Sequence, residues 1–389
     1  MKANRKILAL LLAAALLAGC GGMEMRPADQ QEGLSQRQEQ ESHLIRPAEG
    51  MSPVTGLPAV YPGERPAAVM LYNNKACRPQ WGLDSAGLLI EANTEGQQSR
   101  LMAVFESTNA LIKAGPVTSA KDVFLQMVLP FRPLPMFIGA DVYSENLLNT
   151  YKLQPLDGRY IGVTGFDFDY DRQGVYPSEY GWYTRKELMP GALGQYGMSV
   201  EAESPSYFRF DEAFQADNQN GQLLEIGYGT ERVLLLEYDG SRYVMKEAGD
   251  FQWDGNDLSH PVSVDNVVLL MARPGFKANG RDREYDLSKG EGLYLCRGSA
   301  MHIHWEKGSA GEPLRLFDER EKEIGILPGK TYLGIWGGFA GQSLRLLDSN
   351  GVDQPLPALP VPLPTPEPGA WATPGELLPG AATPGELAP

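Results

Sequence analysis

The sequence predicts an α+β protein in which an N-terminal α/β layered domain is followed by a mainly antiparallel β domain. Between residues 53 and 205, apolar runs of strand length alternate with segments of helical periodicity, the pattern of a sheet covered by helices. From 206 to 350 short apolar runs are separated by Gly, Asp and charged turns, as in meandering strands. The flanks, residues 1–52 and 351–389, lack the periodicity needed to build a core.

In the first domain Pro66–Tyr72 (PAAVMLY) reads as a buried strand that ends at an Asn73-Asn74 turn. Leu88–Ala92 and Leu101–Glu106 are further apolar strands. The stretch AGPVTSAKDVFLQMVL, Ala114–Leu129, is a Gly-Pro turn leading into a helix. Ser119 with Asp122 three residues later matches a capping box, and Val123, Phe124, Met127 and Val128 then share a face. Met136–Ala140 is a short strand and Ser144–Tyr151 a short helix. In the second domain Leu234–Tyr238, Asp239-Gly240 and Ser241–Lys246 spell a β-hairpin. Strands follow at Val264–Ala272, Gly292–Arg297, Met301–Trp305, Leu314–Phe317, Glu323–Leu327 and Lys330–Ile335.

The ends of the chain specify location. Lys2, Arg5 and Lys6 precede the apolar run Ile7–Leu17, which is shorter than the ~20 residues a membrane-spanning helix needs. Residues 1–19 therefore read as a secretory signal. Leu17-Ala18-Gly19-Cys20 resembles the lipobox of bacterial lipoproteins, which implies cleavage before Cys20 and a diacylglyceryl thioether on its sulfur. Residues 20–52 form a polar tether with a reach of roughly 30 Å. Residues 351–389 read as a disordered Pro-rich tail, with eleven prolines from Asp353 to Pro389 and ATPGEL repeated at Ala372–Leu377 and Ala382–Leu387. The expected location is the extracytoplasmic face of the membrane, lipid-anchored at Cys20.

The net charge of −15 becomes −18 when Lys2, Arg5 and Lys6 leave with the signal, 31 basic residues against 49 acidic. That balance excludes general nucleic-acid binding and a polybasic grip on anionic lipid. Between Arg65 and Arg132, however, seven basic residues face five acidic ones, so an anionic ligand would bind there. The candidate anion-binding residues are Arg65, Arg78, Arg100, Ser119 and Lys121, because a loop feeding a helix N-terminus presents free N–H groups and the helix dipole. Lys121 in the first helical turn opposes that dipole, which a bound anion would relieve.

Other constellations carry less. Asp167, Asp169 and Asp171 alternate in GFDFDYDRQG, but Arg172 and Ser178 stand where a calcium loop needs Gly and Glu, and alternation with Phe166, Phe168 and Tyr170 fits a half-buried strand or an extended loop. His302 and His304 share one strand face without a third metal ligand nearby. Cys77 and Cys296 are expected as unpaired buried thiols. No nucleophile elbow, Walker loop, dinucleotide fingerprint or HExxH occurs, and no metal or cofactor is expected.

The runs RPAAVMLYNNKACRPQWGL, RLMAVFES and AGPVTSAKD, followed by DNVVLLMA, HWEK and ILPGKTYLGIW, resemble the YerB-like bacterial lipoproteins over Met51–Gly337. The family has no established activity, so the resemblance implies architecture and location. Its loop carries Arg where this chain has Thr118 and Lys121, and Pro-His-Asn where this chain has Pro177-Ser178-Glu179, while Arg100 is kept. The expectation is a non-catalytic envelope binding or accessory module whose partner is an envelope protein or an anionic wall polymer. The alternative is an envelope enzyme acting on a phosphorylated glycan or lipid carrier, with Arg100 and Lys121 as charge clamps. An Arg-bearing strand beside a loop-to-helix turn is similar to the LytR-CpsA-Psr phosphotransferases.

Overall fold

A computed structural model describes residues 44–216 and 219–364. The signal, Cys20, the tether up to 43 and the tail beyond 364 lie outside the described residues.

In the first segment the elements are β1 (Ala67–Tyr72), β2 (Leu88–Glu95), β3 (Gln98–Phe105), α1 (Asp122–Val128), β4 (Leu134–Phe137), α2 (Val142–Thr150), β5 (Leu156–Asp157), β6 (Asp167–Phe168), β7 (Trp182–Tyr183) and α3 (Met189–Tyr196). The second segment contributes β8 (Leu223–Gly229), β9 (Arg232–Tyr238), β10 (Tyr243–Glu247), β11 (Asn266–Phe276), β12 (Arg283–Cys296), β13 (Ser299–Glu306), β14 (Arg315–Phe317), β15 (Glu323–Ile324), β16 (Thr331–Trp336) and β17 (Ser343–Leu347). The α-helices thus fall in the first segment and, apart from the β2–β3 hairpin, the hairpins in the second, as the change of period predicts.

One large sheet takes strands from both segments, in the order β15-β14-β13-β12-β11-β16-β2-β3-β1-β4-β5. Its pivot is β16, which lies parallel to β11 on one side and to β2 on the other. TYLGIW is buried at all six positions, the continuous apolar run that a central parallel strand covered on both faces requires. Gly334 is needed there: a Cβ would stand 2.5 Å from the Tyr228 hydroxyl and 2.8 Å from Leu269.

Alternation along the strands divides the core in two. Ala68, Met70, Ile90, Met102 and Val104 face α1, Phe131 and Tyr207. Val69, Leu71, Leu89, Leu101 and Ala103 face α3 and a second sheet that includes β10-β9-β8-β17 in that order.

Three expectations change. The helix after the Gly-Pro turn starts at Asp122 with Lys121 as its N-cap and no side-chain cap, so Ser119 and Asp122 form no capping box. The Asp122 carboxylate is drawn instead to Lys277, a residue distant in sequence. Residues 44–52, expected as tether, touch the body through the Ile45 carbonyl, which accepts from Ser206 N–H at 2.8 Å. Residues 353–363, expected as disordered tail, lie extended on the body, and Leu363 N–H donates to the Pro274 carbonyl at 2.7 Å.

Candidate functional site

Strands β1, β2, β4, β5, β11 and β16 all point the same way, so their carboxyl ends share one rim of the large sheet. In open α/β sheets this is the edge where ligands bind. The loop Ala114–Lys121 returns to it, with Thr118 N–H donating to the Met70 carbonyl and Ala120 N–H to the Gly139 carbonyl.

Here Arg100 and Lys121 meet Glu95 at the end of β2 and acidic residues from two other loops. The Arg100 guanidinium donates to Thr118 Oγ1 and, at 3.2 Å, to Glu95, and lies 5.6 Å from the centre of the Tyr72 ring. Glu95 also accepts from Arg281 at 3.2 Å. Arg281 Nε lies 3.6 Å from Asp282 Oδ1, whose other oxygen is 3.7 Å from Lys121 Nζ. Lys121 closes on Asp141 at 3.2 Å, and Asp141 caps α2 by accepting from Ser144 N–H at 2.8 Å. The result is a chain of alternating charge, Arg100–Glu95–Arg281–Asp282–Lys121–Asp141. Beside it Lys277 sits 2.6 Å from both Asp122 and Glu284. Burial works against the Lys277 ammonium, but the two carboxylates outweigh it and hold its pKa above the usual lysine range.

The discomfort of a cation at the start of α1 is therefore relieved by Asp141 and Asp282 within the fold, with no external anion needed. Of the residues singled out in the sequence, Arg100, Ser119 and Lys121 come together at the rim. Ser119 contributes its side chain against Gly139 and caps nothing. Arg65 lies at the opposite end of β1, where its guanidinium donates to the Arg132 and Pro133 carbonyls at 3.2 and 2.6 Å.

Arg78 lies on the other face of the sheet, in a buried polar network between the two sheets. Arg232, 2% exposed, donates to both oxygens of the fully buried Glu91 at 2.9 and 3.0 Å and to Glu247 at 3.0 Å. Glu91 also accepts from Asn73, Ser99 and Tyr332 at 2.8, 2.6 and 3.1 Å. Arg78 pairs with Glu247, and burial together with Arg232 pushes its pKa down to about 9. Glu91 was hidden from sequence reading because an acidic residue in an apolar strand has no local partner.

The aspartates of GFDFDYDRQG are divided among separate partners: Asp167 accepts from the Tyr183 hydroxyl at 2.9 Å and Asp169 from Lys113 at 2.6 Å. Phe168 and Trp182 stack edge-on at 5.2 Å across β6–β7, but the half-buried strand is limited to Asp167–Phe168, and Tyr170–Arg172 forms a 3-10 turn. Cys77 and Cys296 are buried and unpaired, and burial pushes the Cys77 thiol up to about 11, where it is no nucleophile at neutral pH.

Fold and site define a two-segment α+β protein whose halves share a sheet and present a charge-alternating rim. Residues 54–197 match the family described as "Protein of unknown function (DUF3048) N-terminal domain", and residues 224–333 match its C-terminal domain. The chain belongs to that family. "Putative lipoprotein YerB" of Bacillus subtilis (strain 168) is 27% identical over 297 residues, covering 73% of this chain and 85% of the relative. The crystal structure of the Bacillus subtilis YerB protein has the same fold, with a TM-score of 0.65 and 23% identity over 76% of this chain and 99% of that one.

Proposed function

We propose that the protein is a lipid-anchored extracytoplasmic lipoprotein whose body binds an envelope protein through the charge-alternating rim and performs no turnover of its own. Cys20 in its lipobox and the lipoprotein relative support the anchor. The observation that carries the binding reading is the ion-pair chain itself. Three cations and three carboxylates alternate from Arg100 to Asp141, and Arg281 at its middle is 75% exposed in its side chain. A uniform polyanion is drawn by a net positive field, whereas fixed alternating signs select a partner with complementary charges of both kinds. Arg100 and Lys121 are committed to carboxylates, so the charge-clamp reading for a phosphorylated carrier has no support from the geometry.

Cys20→Ala tests the anchor: the protein should move from the membrane to the soluble extracytoplasmic fraction, and full retention would refute it. A photo-crosslinking residue at position 281 of the lipidated chain tests the rim. Discrete protein adducts that vanish with Glu95→Lys support the proposal. Salt-sensitive binding of poly(glycerol phosphate) without protein adducts would favour the wall polymer instead.

A further inference from the structure

The segment Asp353–Pro364 (DQPLPALPVPLP) lies beyond the family-matched residues and is treated by the body as a ligand. It leaves the free edge of β17, where Gln354 N–H donates to the Leu346 carbonyl at 2.7 Å and Asp353 pairs with both ends of the Arg345 guanidinium at 3.0 and 3.2 Å. The Pro355 carbonyl then lies 3.2 Å from His302 Nε2 on β13. Leu356 packs on the apolar cluster that the second sheet covers, and Pro357 is buried. Further on, Arg273 Nε donates to the Val361 carbonyl at 3.3 Å and Leu363 N–H to the Pro274 carbonyl at 2.7 Å.

The last contact has a structural cause. Strand β11 loses β16 as its neighbour after Met271, yet continues to Phe276 against β12, which leaves the Pro274 carbonyl open to a new donor. Gly275 beside it makes room: a Cβ there would stand 3.0 Å from Leu363 Cδ1. The groove thus offers donors (His302, Arg273), two carbonyl acceptors (Leu346, Pro274) and apolar seats for Leu356, Pro357 and Leu363. An extended segment with five prolines is its complement, since it is rich in carbonyl acceptors, poor in N–H donors and already stiff. The hold is light for a core element. Leu359 and Val361 are 65% and 70% exposed, and no continuous strand ladder forms.

We propose that the body carries a binding groove for extended proline-rich segments, running from the β17 edge past His302 to Arg273–Gly275, and that residues 353–363 are its resident, exchangeable occupant. Release of this segment uncovers a docking surface whose His302 and Arg273–Gly275 end lies within the family-matched residues and whose β17 end lies beyond them.

The test uses the full chain with a specific protease site placed in the exposed turn at Ser349–Asn350. After cleavage, a labelled peptide Val352–Pro364 should bind the cut protein saturably and displace the resident fragment, and should not bind the uncut chain. A peptide carrying Leu356→Asp and Leu363→Asp should bind at least tenfold more weakly, a comparison that leaves the body untouched. Exchange of the segment between copies, read as a dimer, also supports the groove. Three results would overturn it: no peptide binding by a folded cut protein, equal binding of a scrambled peptide, or unfolding of the body on cleavage, which makes the segment part of the core.

Discussion

Replacing Arg232 by methionine removes the guanidinium that hydrogen-bonds both oxygens of Glu91 between the two sheets. Arg232 makes three charge-assisted hydrogen bonds, two to Glu91 and one to Glu247, with the guanidinium almost fully shielded from water. Methionine fills much of the same volume, so cavity formation is a minor part of the effect. What remains is a fully buried carboxylate that has lost its hydrogen-bonded cation, which costs about 3–5 kcal/mol, with the nearby Arg78 left as partial compensation. The bonds from Asn73, Ser99 and Tyr332 soften this towards the lower figure. Urea unfolding followed by tryptophan fluorescence should show a midpoint drop equal to that loss divided by the unchanged slope. The double variant Glu91→Gln, Arg232→Met removes both charges and should recover at least half of the loss. A single-variant loss below about 1 kcal/mol, or a double variant no better than the single, would refute the claim that this pair holds the two segments together.

Lys121→Met leaves Asp141 and Asp282 without their shared cation and should destabilise by about 1–3 kcal/mol in thermal unfolding; a neutral result would mean the lysine is free for a ligand. Gly334→Ala forces a methyl against the Tyr228 hydroxyl at the pivot strand and should cost at least about 1–3 kcal/mol, read as a lower urea midpoint, whereas unchanged stability would contradict the close packing of β16. Lys307 is 2% exposed with its ammonium held by the Ser309, Ala310 and Glu312 carbonyls, and burial pushes its pKa down to about 7 against the opposing charge of Glu312. Between pH 7 and the unfolded value near ~10.4 the unfolded chain holds a proton that the native chain lacks, so wild-type stability should rise with pH relative to Lys307→Met; the opposite slope refutes the assignment.

Much of the architecture was legible in the sequence, because strands and helices that bury one face or both write their period into the order of apolar residues. PAAVMLY reads as a buried strand and is one, and the short strand read at Lys330–Ile335 is found at Thr331–Trp336. The hairpin read around Asp239-Gly240 forms, but Tyr238 pairs with Tyr243, so its loop has the four residues Asp239–Arg242 and the second strand starts at Tyr243 in place of Ser241. The capping box failed for a specific reason: it is a local signal, and Asp122 found a stronger partner in Lys277, far along the chain. Compensation of the rim was likewise unreadable, since Arg100 and Lys121 stand in a locally basic stretch while Asp141 and Asp282 come from elsewhere.

By itself the sequence determined the change from helix-covered strands to hairpins, a stretch resembling a lipobox ahead of the body and the family resemblance, all of which are contained in local order and composition. Only the tertiary structure decided that β16 joins the two segments in one sheet, that the basic loop is neutralised by distant carboxylates, and that part of the Pro-rich end lies in a groove. Each of these depends on pairing between residues far apart in the chain. Strand neighbours, ion partners and docking surfaces are chosen by which groups the packed core brings within hydrogen-bonding distance, and periodicity carries no record of that choice.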